Sequence, residues 1–325
     1  MFQFKIEKEV KNPIFKETKL WDLLVIGSGP AGFNGALYAK RKGLSVGLIS
    51  KDLGGQLHNT TIVDNYLGLN DIEGSQLSNQ FLDHIKRLEV PIYQDVYVES
   101  ISKIDNNFHI TLSTGEVLKS KTVLMTTGGN PRKLQVSGEQ DFSNKGVSYC
   151  ATCDAPFFKD KHVVVAGGGN SAAEAVIDLS KWASKVTVVH RSQWRADKIL
   201  LDKLKNIPNL TVHLNTQILE VNGESVMKSL TVLHKTENIT TQLEADGLFV
   251  EIGLVPNSKL VKGLVNLNEK EEIIVDSNQM TSLLGLYAAG DVTSQPFKQI
   301  IIAASEGAKA ALSITQYLNT QYKGE

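Results

Sequence analysis

Residues 21–26 (WDLLVI) are a nearly unbroken apolar run that ends at glycine, the pattern of a strand buried on both faces. A helical spacing follows over 31–42 and a second short apolar run over 44–49. This order of strand, turn, helix and strand predicts the opening of a doubly wound sheet. It returns downstream, with a strand over 162–166 (HVVVA), a glycine turn over 167–169, a helix over 171–182 and a strand over 186–190. Between the two units, alternating apolar positions over 96–119, around Thr114-Gly115-Glu116, predict a small β-meander inserted in the first domain. Residues 210–219 and 230–235 repeat the strand-rich pattern, 286–289 lead into Gly290-Asp291, and 299–317 predict a long amphipathic helix. In residues 1–20, Phe2, Phe4 and Ile6 alternate with polar residues, as in a short edge strand or packed arm.

Two copies of this pattern predict an α/β chain with two Rossmann-like, three-layer nucleotide-binding domains. Proline and polar residues break the periodicity at Pro131-Arg132 and Pro256-Asn257, where domain boundaries are expected. A length of 325 residues accommodates two ordinary domains. The formal net charge of −1 supplies no field to attract nucleic acid or anionic lipid. No apolar stretch reaches bilayer-spanning length, and the charged start of the chain does not read as a secretory signal, so a soluble, cytoplasmic protein is expected.

Three constellations carry chemistry. Gly27-Ser28-Gly29-Pro30-Ala31-Gly32 is a GxGxxG between strand and helix, suited to holding a pyrophosphate at a helix N-terminus; the alternative is a glycine turn without a ligand. The acidic residue expected about twenty positions later is replaced by Ser50-Lys51, whose hydroxyl and backbone groups would have to take over its contact with a ribose. Gly54-Gly55-Gln56 then form a second flexible turn.

Gly167-Gly168-Gly169-Asn170-Ser171-Ala172 is a GxGxxA in the same context, and the next strand ends in His190-Arg191, with Arg195 beyond. Cationic groups there favour a 2′-phosphate, hence NADPH over NADH; a solvated surface turn is the competing reading. The third constellation, Cys150-Ala151-Thr152-Cys153-Asp154, holds both cysteines of the chain. So short a loop is a poor staple and a good exchangeable disulfide, with Asp154 as a proton shuttle. Zinc would need more ligands than this segment offers, so no metal is expected.

Together these features resemble the low-molecular-weight thioredoxin reductases and the related flavoprotein subunit of alkyl hydroperoxide reductase. The similarity runs from about Trp21 to Tyr317 and includes Asp64-Asn65-Tyr66, Thr126-Thr127-Gly128, Ala289-Gly290-Asp291 and Lys298-Gln299-Ile300. It implies a discontinuous FAD domain over 1–131 and 258–325, with an inserted NAD(P) domain over 132–257 carrying the CxxC. Gly27, Gly29, Gly32, Gly55, Gln56, Asn65, Asp291 and Gln299 would surround FAD, Asp291 at its ribityl or pyrophosphate region and Asn65 and Gln299 near the isoalloxazine. Ser28, Pro30, Ala31, Val98, Thr127, Gly128, Gly290, Lys298 and Ile300 complete the expected FAD neighbours. By the same resemblance Cys153 faces the flavin, Cys150 attacks the partner's disulfide, and Asp154 is the acid. The family's usual second arginine after the histidine is Ser192 here, and the segment is one residue shorter.

The function this implies is thioredoxin-disulfide reduction. NADPH reduces FAD, FADH2 reduces the Cys150–Cys153 disulfide, and the dithiol reduces thioredoxin or a thioredoxin-like protein, in a homodimer. Two other readings are a related reductase fed by ferredoxin or another donor, and a non-catalytic dinucleotide sensor, which would have no use for an exchangeable disulfide.

Overall fold

Leu23 and Val25 pack into one hydrophobic core and Leu24 and Ile26 into another. Successive side chains of a strand point to opposite faces, so a run that is apolar at every position must be buried on both. The computed structural model describes residues 19–60 and 62–321. The reading of residues 1–18 as strand or arm lies outside them. Leu20 begins the first strand, Leu20–Ser28.

The chain forms two compact units, one of Met1–Ile62, Ile72–Gly129 and Pro256–Glu325, the other of Val63–Asp71 and Asn130–Val255. The first holds a seven-stranded sheet. Its parallel part runs Ile92–Gln94, Val46–Leu53, Leu20–Ser28, Val117–Met125, with Leu286–Ala288 beside the last. The register pairs Val25 with Leu48 on one side and Ile26 with Met125 on the other. The helices Pro30–Arg41, Gly74–Arg87 and Ile300–Gln321 cover one face. The other packs on the antiparallel strands and on Val261, Val265 and Ile273.

The expected inserted meander is not a separate element. Val98–Ile104 and Asn107–Leu112 pair antiparallel with each other, the second pairs antiparallel with Val117–Met125, and that strand runs parallel to Leu20–Ser28. Residues 117–120 alternate between exposed and buried, whereas 122–125 are buried throughout, so one strand is both the end of the meander and the middle of the sheet. Val63–Asp71, which includes Asn65, groups with the second unit, although it falls inside the 1–131 span. This polar, glycine-containing segment is the loop between the two-residue strands Ile62–Val63 and Ile72–Glu73, which pair with each other.

The second unit has a five-stranded, all-parallel sheet in the order Val147–Ser148, Gly247–Val250, His162–Ala166, Lys185–Val189, Leu210–His213. Val163 and Val165 face the helix Asn170–Leu179, while Val164 and Ala166 face an antiparallel sheet of Thr216–Gly223, Met227–His234 and Ile239–Glu244. The run over 210–219 is therefore two strands, split at Leu214-Asn215, where Asn215 takes φ +51° and turns the chain into the second sheet.

Candidate functional site

In the first unit, three sequence-distant segments converge beside the turn after the first strand. Gly27 lies at φ +103°, and a Cβ there would fall 2.4 Å from the Thr126 carbonyl oxygen. A Cβ on Gly32 would fall 2.0 Å from the Gly27 oxygen, so these two glycines are required by the protein's own packing. Gly29 differs: at φ −73° it caps the helix Pro30–Arg41 with no side-chain bond, and an added Cβ meets nothing within 4 Å. Gly169 likewise caps Asn170–Leu179 without a side-chain bond and has the same open space. Two helix starts therefore present amides that no side chain caps, in a cradle that a Cβ would enter, which fits the approach of a dinucleotide pyrophosphate.

Gly55 packs against Gly29, its Cβ position 3.4 Å from the Gly29 Cα. The Gly290 amide donates to Glu306 Oε2 at 2.7 Å, and its Cβ position lies 3.1 Å from the Ala31 methyl, which brings Gly290-Asp291 to the start of the first helix. Burial pushes the Asp291 carboxyl up, opposed by the Lys298 charge. Burial also raises Glu306, against the Gly290 amide bond. Lys298 itself is turned onto backbone: its ammonium donates to the Thr293 carbonyl and to the Gln295 carbonyl at 2.8 Å, and lies 3.5 Å from Glu272. The side chain of Val98 packs against the core, and Ile300 opens the last helix.

Ser50, expected to stand in for the missing carboxylate, is bonded within the protein. Its hydroxyl donates to the Asp52 carbonyl at 2.7 Å, and Ser28 Oγ lies 2.8 Å from both Ser50 Oγ and that carbonyl. Lys51 is exposed. Gln56 donates to the Gly129 carbonyl. Thr127 and Gly128 are tied to Asn257: Thr127 Oγ1 donates to its carbonyl at 2.8 Å, and the Asn257 amide donates to the Gly128 carbonyl at 2.9 Å.

In the second unit Cys150 and Cys153 form a disulfide with Cα atoms 5.3 Å apart. Cys150 caps the short helix Ala151–Asp154, its sulfur accepting from the Cys153 amide at 3.2 Å. Ser148 Oγ donates to Asp154 Oδ2 at 2.6 Å. Burial holds the Asp154 carboxyl above the usual carboxylate range, with the Ser148 bond opposing. Glu251 adds a second carboxyl: its Oε1 accepts from the Ala151 amide at 3.2 Å. Burial pushes it up to about 7, opposed by that bond and reinforced by Glu174.

The second glycine turn is clamped by the loop after Lys185–Val189. The Arg195 amide donates to the Gly168 carbonyl at 2.7 Å; Asn170 Nδ2 donates to Asp197 Oδ2 at 2.7 Å, and the Asp197 amide returns to Asn170 Oδ1 at 2.8 Å. Ser171 is exposed at the helix start and Ala172 is buried. Arg191 and Arg195 are exposed, and neither makes an ion pair among the described residues. His190, expected beside these arginines, is held differently. It is 5% exposed, its ring abuts Gly168, and burial and then the Arg195 charge push its pKa down.

Glu251, Ser148, Asp197 and Glu306 bond to candidate site residues and do not stand out in the sequence as such. Only Glu251 carries a sequence signal, a carboxylate interrupting the apolar run over 248–252. Among the described residues no cluster of three or more His, Cys, Asp or Glu could hold a metal ion, and no helix is long and apolar enough to cross a membrane.

A family model described as pyridine nucleotide-disulphide oxidoreductase matches residues 21–307. The chain is 39% identical over 305 residues to an alkyl hydroperoxide reductase subunit of Staphylococcus aureus strain MRSA252, and 40% identical over 305 residues to a Bacillus subtilis strain 168 protein named NADH dehydrogenase. Each match covers 94% of this chain, which spans only 60% of the length of each relative. Among solved structures, thioredoxin reductase from Streptococcus pyogenes superposes with a TM-score of 0.88 at 34% identity, over 93% of this chain and 99% of that one.

Proposed function

The chain belongs to the pyridine nucleotide-disulphide oxidoreductase family, and on that premise we propose that it is an FAD-dependent disulfide reductase of the thioredoxin reductase type, driven by NADPH. The observation that carries this reading is the Cys150–Cys153 disulfide, set beside a half-buried Asp154 whose carboxyl burial pushes up, in the unit that contains the second glycine turn. A dinucleotide-binding sensor would gain nothing from it.

FAD, when bound, supplies the two-electron relay between nicotinamide and disulfide. Gly29, with the uncapped amides of Pro30–Arg41, offers the pyrophosphate its place in the first unit, and Gly290-Asp291 lies against that helix. In the second unit Gly167, Gly169, Asn170, Ser171 and Ala172 form the corresponding turn for NADPH, with Arg191 and Arg195, outside every ion pair among the described residues, as the cations for its 2′-phosphate. The reduced Cys150 thiolate attacks one sulfur of the partner's disulfide and expels the other as a thiolate. Cys153 then displaces the partner from Cys150, which re-forms the internal disulfide and leaves the partner with two thiols. Asp154 supplies and recovers a proton in these steps. The partner is thioredoxin or a thioredoxin-like protein, the site of action the reducing cytoplasm, and the assembly a homodimer.

Anaerobic titration of the FAD-loaded chain tests this. NADPH should bleach the flavin absorbance, and oxidised thioredoxin should restore it. Failure of both NADPH and NADH to bleach it, with reduced ferredoxin succeeding, would move the chain to the ferredoxin-fed class. Failure of every donor would leave the sensor reading.

A further inference from the structure

We propose that Glu251 sets the charge at the Cys150–Cys153 pair, taking up a proton as the disulfide is reduced and releasing it as the dithiol is reoxidised. The inference rests on the dithiol–disulfide cycle proposed above and adds a group that cycle does not name. Glu251 follows the strand Gly247–Val250, where its amide donates to the Ala166 carbonyl at 2.8 Å and fixes it at the end of the parallel sheet. From there its carboxyl accepts the amide of Ala151, the residue bonded directly to Cys150.

The groups around it leave its charge unbalanced. The helix Asn170–Leu179 offers Glu174, of like sign; the carboxyl of the short helix itself, Asp154, is bound to Ser148. The strand His162–Ala166 presents no charge at this end. Beyond Glu251, Arg132 passes the Cβ position of Gly253 at 3.8 Å, but no cation forms an ion pair with Glu251 among the described residues. With the disulfide intact the carboxyl already sits at about 7. Two electrons and one proton convert the disulfide to a thiol and a thiolate. A thiolate on Cys150, the residue bonded to the Ala151 amide that this carboxylate accepts, is a second like charge and raises its proton affinity further. The second proton of the two-electron step then resides on Glu251 and not on sulfur.

The test uses the full chain and a phosphine reductant, which is oxidised to its phosphine oxide as the disulfide opens. With 13C-carboxyl-labelled glutamate, NMR titration of the unmodified chain should show one glutamate with a midpoint near pH 7 when oxidised, moving upward on reduction. Its absence from Glu251→Gln assigns it; Glu251→Asp, which also removes the resonance but keeps a carboxyl, serves if the glutamine variant does not fold. In the reduced protein, Cys150 of Glu251→Gln should react with iodoacetamide about threefold to tenfold faster than in the unmodified chain at about pH 7.5, because no carboxylate opposes its thiolate. Glu251→Asp should stay close to the unmodified rate. A midpoint that does not move on reduction, no glutamate titrating above about pH 6, or an unchanged Cys150 pH profile in a folded Glu251→Gln overturns the proposal. Neither measurement uses nicotinamide or thioredoxin, so a negative result here is separable from a failure of the reductase reading.

Discussion

The Ser148 hydroxyl donates to Asp154 Oδ2 at 2.6 Å while accepting the Cys150 amide at 3.1 Å, so one oxygen ties the acid to the backbone of the first cysteine. Burial raises the Asp154 carboxyl and this bond holds it down. Ser148→Ala should therefore move Asp154 further up, and the limb of the pH profile that Asp154 governs in thiol–disulfide exchange should shift to higher pH. Single-turnover reoxidation of the reduced protein by thioredoxin, followed across pH, measures it. Asp154→Asn should lose that limb. A Ser148→Ala profile that superimposes on the unmodified one would show that the hydroxyl does not tune the acid.

Gly29 and Gly32 separate ligand demand from packing demand. Gly32→Ala drives a methyl to 2.0 Å from the Gly27 oxygen and should cost about 2 kcal/mol or more of stability. Gly29→Ala meets nothing in the protein and should stay within about 1 kcal/mol, while the methyl enters the cradle and weakens FAD. Urea unfolding of the apoprotein and FAD titration distinguish the two. Equal FAD affinity for Gly29→Ala and the unmodified chain would remove the cradle from the binding site.

Legibility in the sequence follows how directly each requirement maps onto residue type. The glycine turns and the CxxC are readable because a backbone approach or an exchangeable disulfide demands particular residues at fixed spacing. Glu306 is not: it occurs among alanines in the last helix and reads as a surface position, yet it is buried with its carboxyl on the Gly290 amide. The helix Gly74–Arg87 carries Leu77, Phe81 and Ile85 at four-residue spacing, but its polar remainder obscures the stripe. His190 reads as a cation from its place beside arginine; its burial against Gly168 depends on tertiary packing, which residue spacing does not encode.

The proposed preference for NADPH rests on Arg191 and Arg195. They are exposed and outside every ion pair of the described residues, while His190 is buried and its pKa is pushed down. Replacing both arginines with Ala should weaken NADPH roughly tenfold or more and leave NADH nearly unchanged, since only the former loses charge-assisted bonds. Steady-state KM for both cofactors reads this. Equal kinetics with NADH and NADPH in the unmodified chain would contradict a 2′-phosphate site.

Glu251 also makes the stability of the oxidised protein depend on pH. Its folded-state pKa, about 7, is above the ordinary 4.5, so between those values the native state holds a proton that the unfolded chain has released. This contribution is fully present below about pH 4.5 and lost as pH rises through 7. The Tm should therefore fall over that window by more in the unmodified chain than in Glu251→Gln, and the variant should be the more stable at about pH 8. Parallel Tm–pH curves for the two would place the carboxyl near its ordinary value.

The two cysteines should separate in a trapping experiment. Cys153→Ser keeps the sulfur assigned as nucleophile, so after reduction Cys150 attacks an oxidised thioredoxin and expels one of its sulfurs as a thiolate. With no second sulfur to displace the partner, the mixed disulfide accumulates. Cys150→Ser should accept electrons at the flavin yet capture little partner. Both variants should lose multiple-turnover disulfide reduction. Intact-mass spectrometry after incubation with oxidised thioredoxin reads the adduct, and peptide mapping locates it. Preferential capture by Cys150→Ser would reverse the roles of the two sulfurs, and unimpaired turnover in both variants would mean that the disulfide in this unit is not the one that reduces the partner.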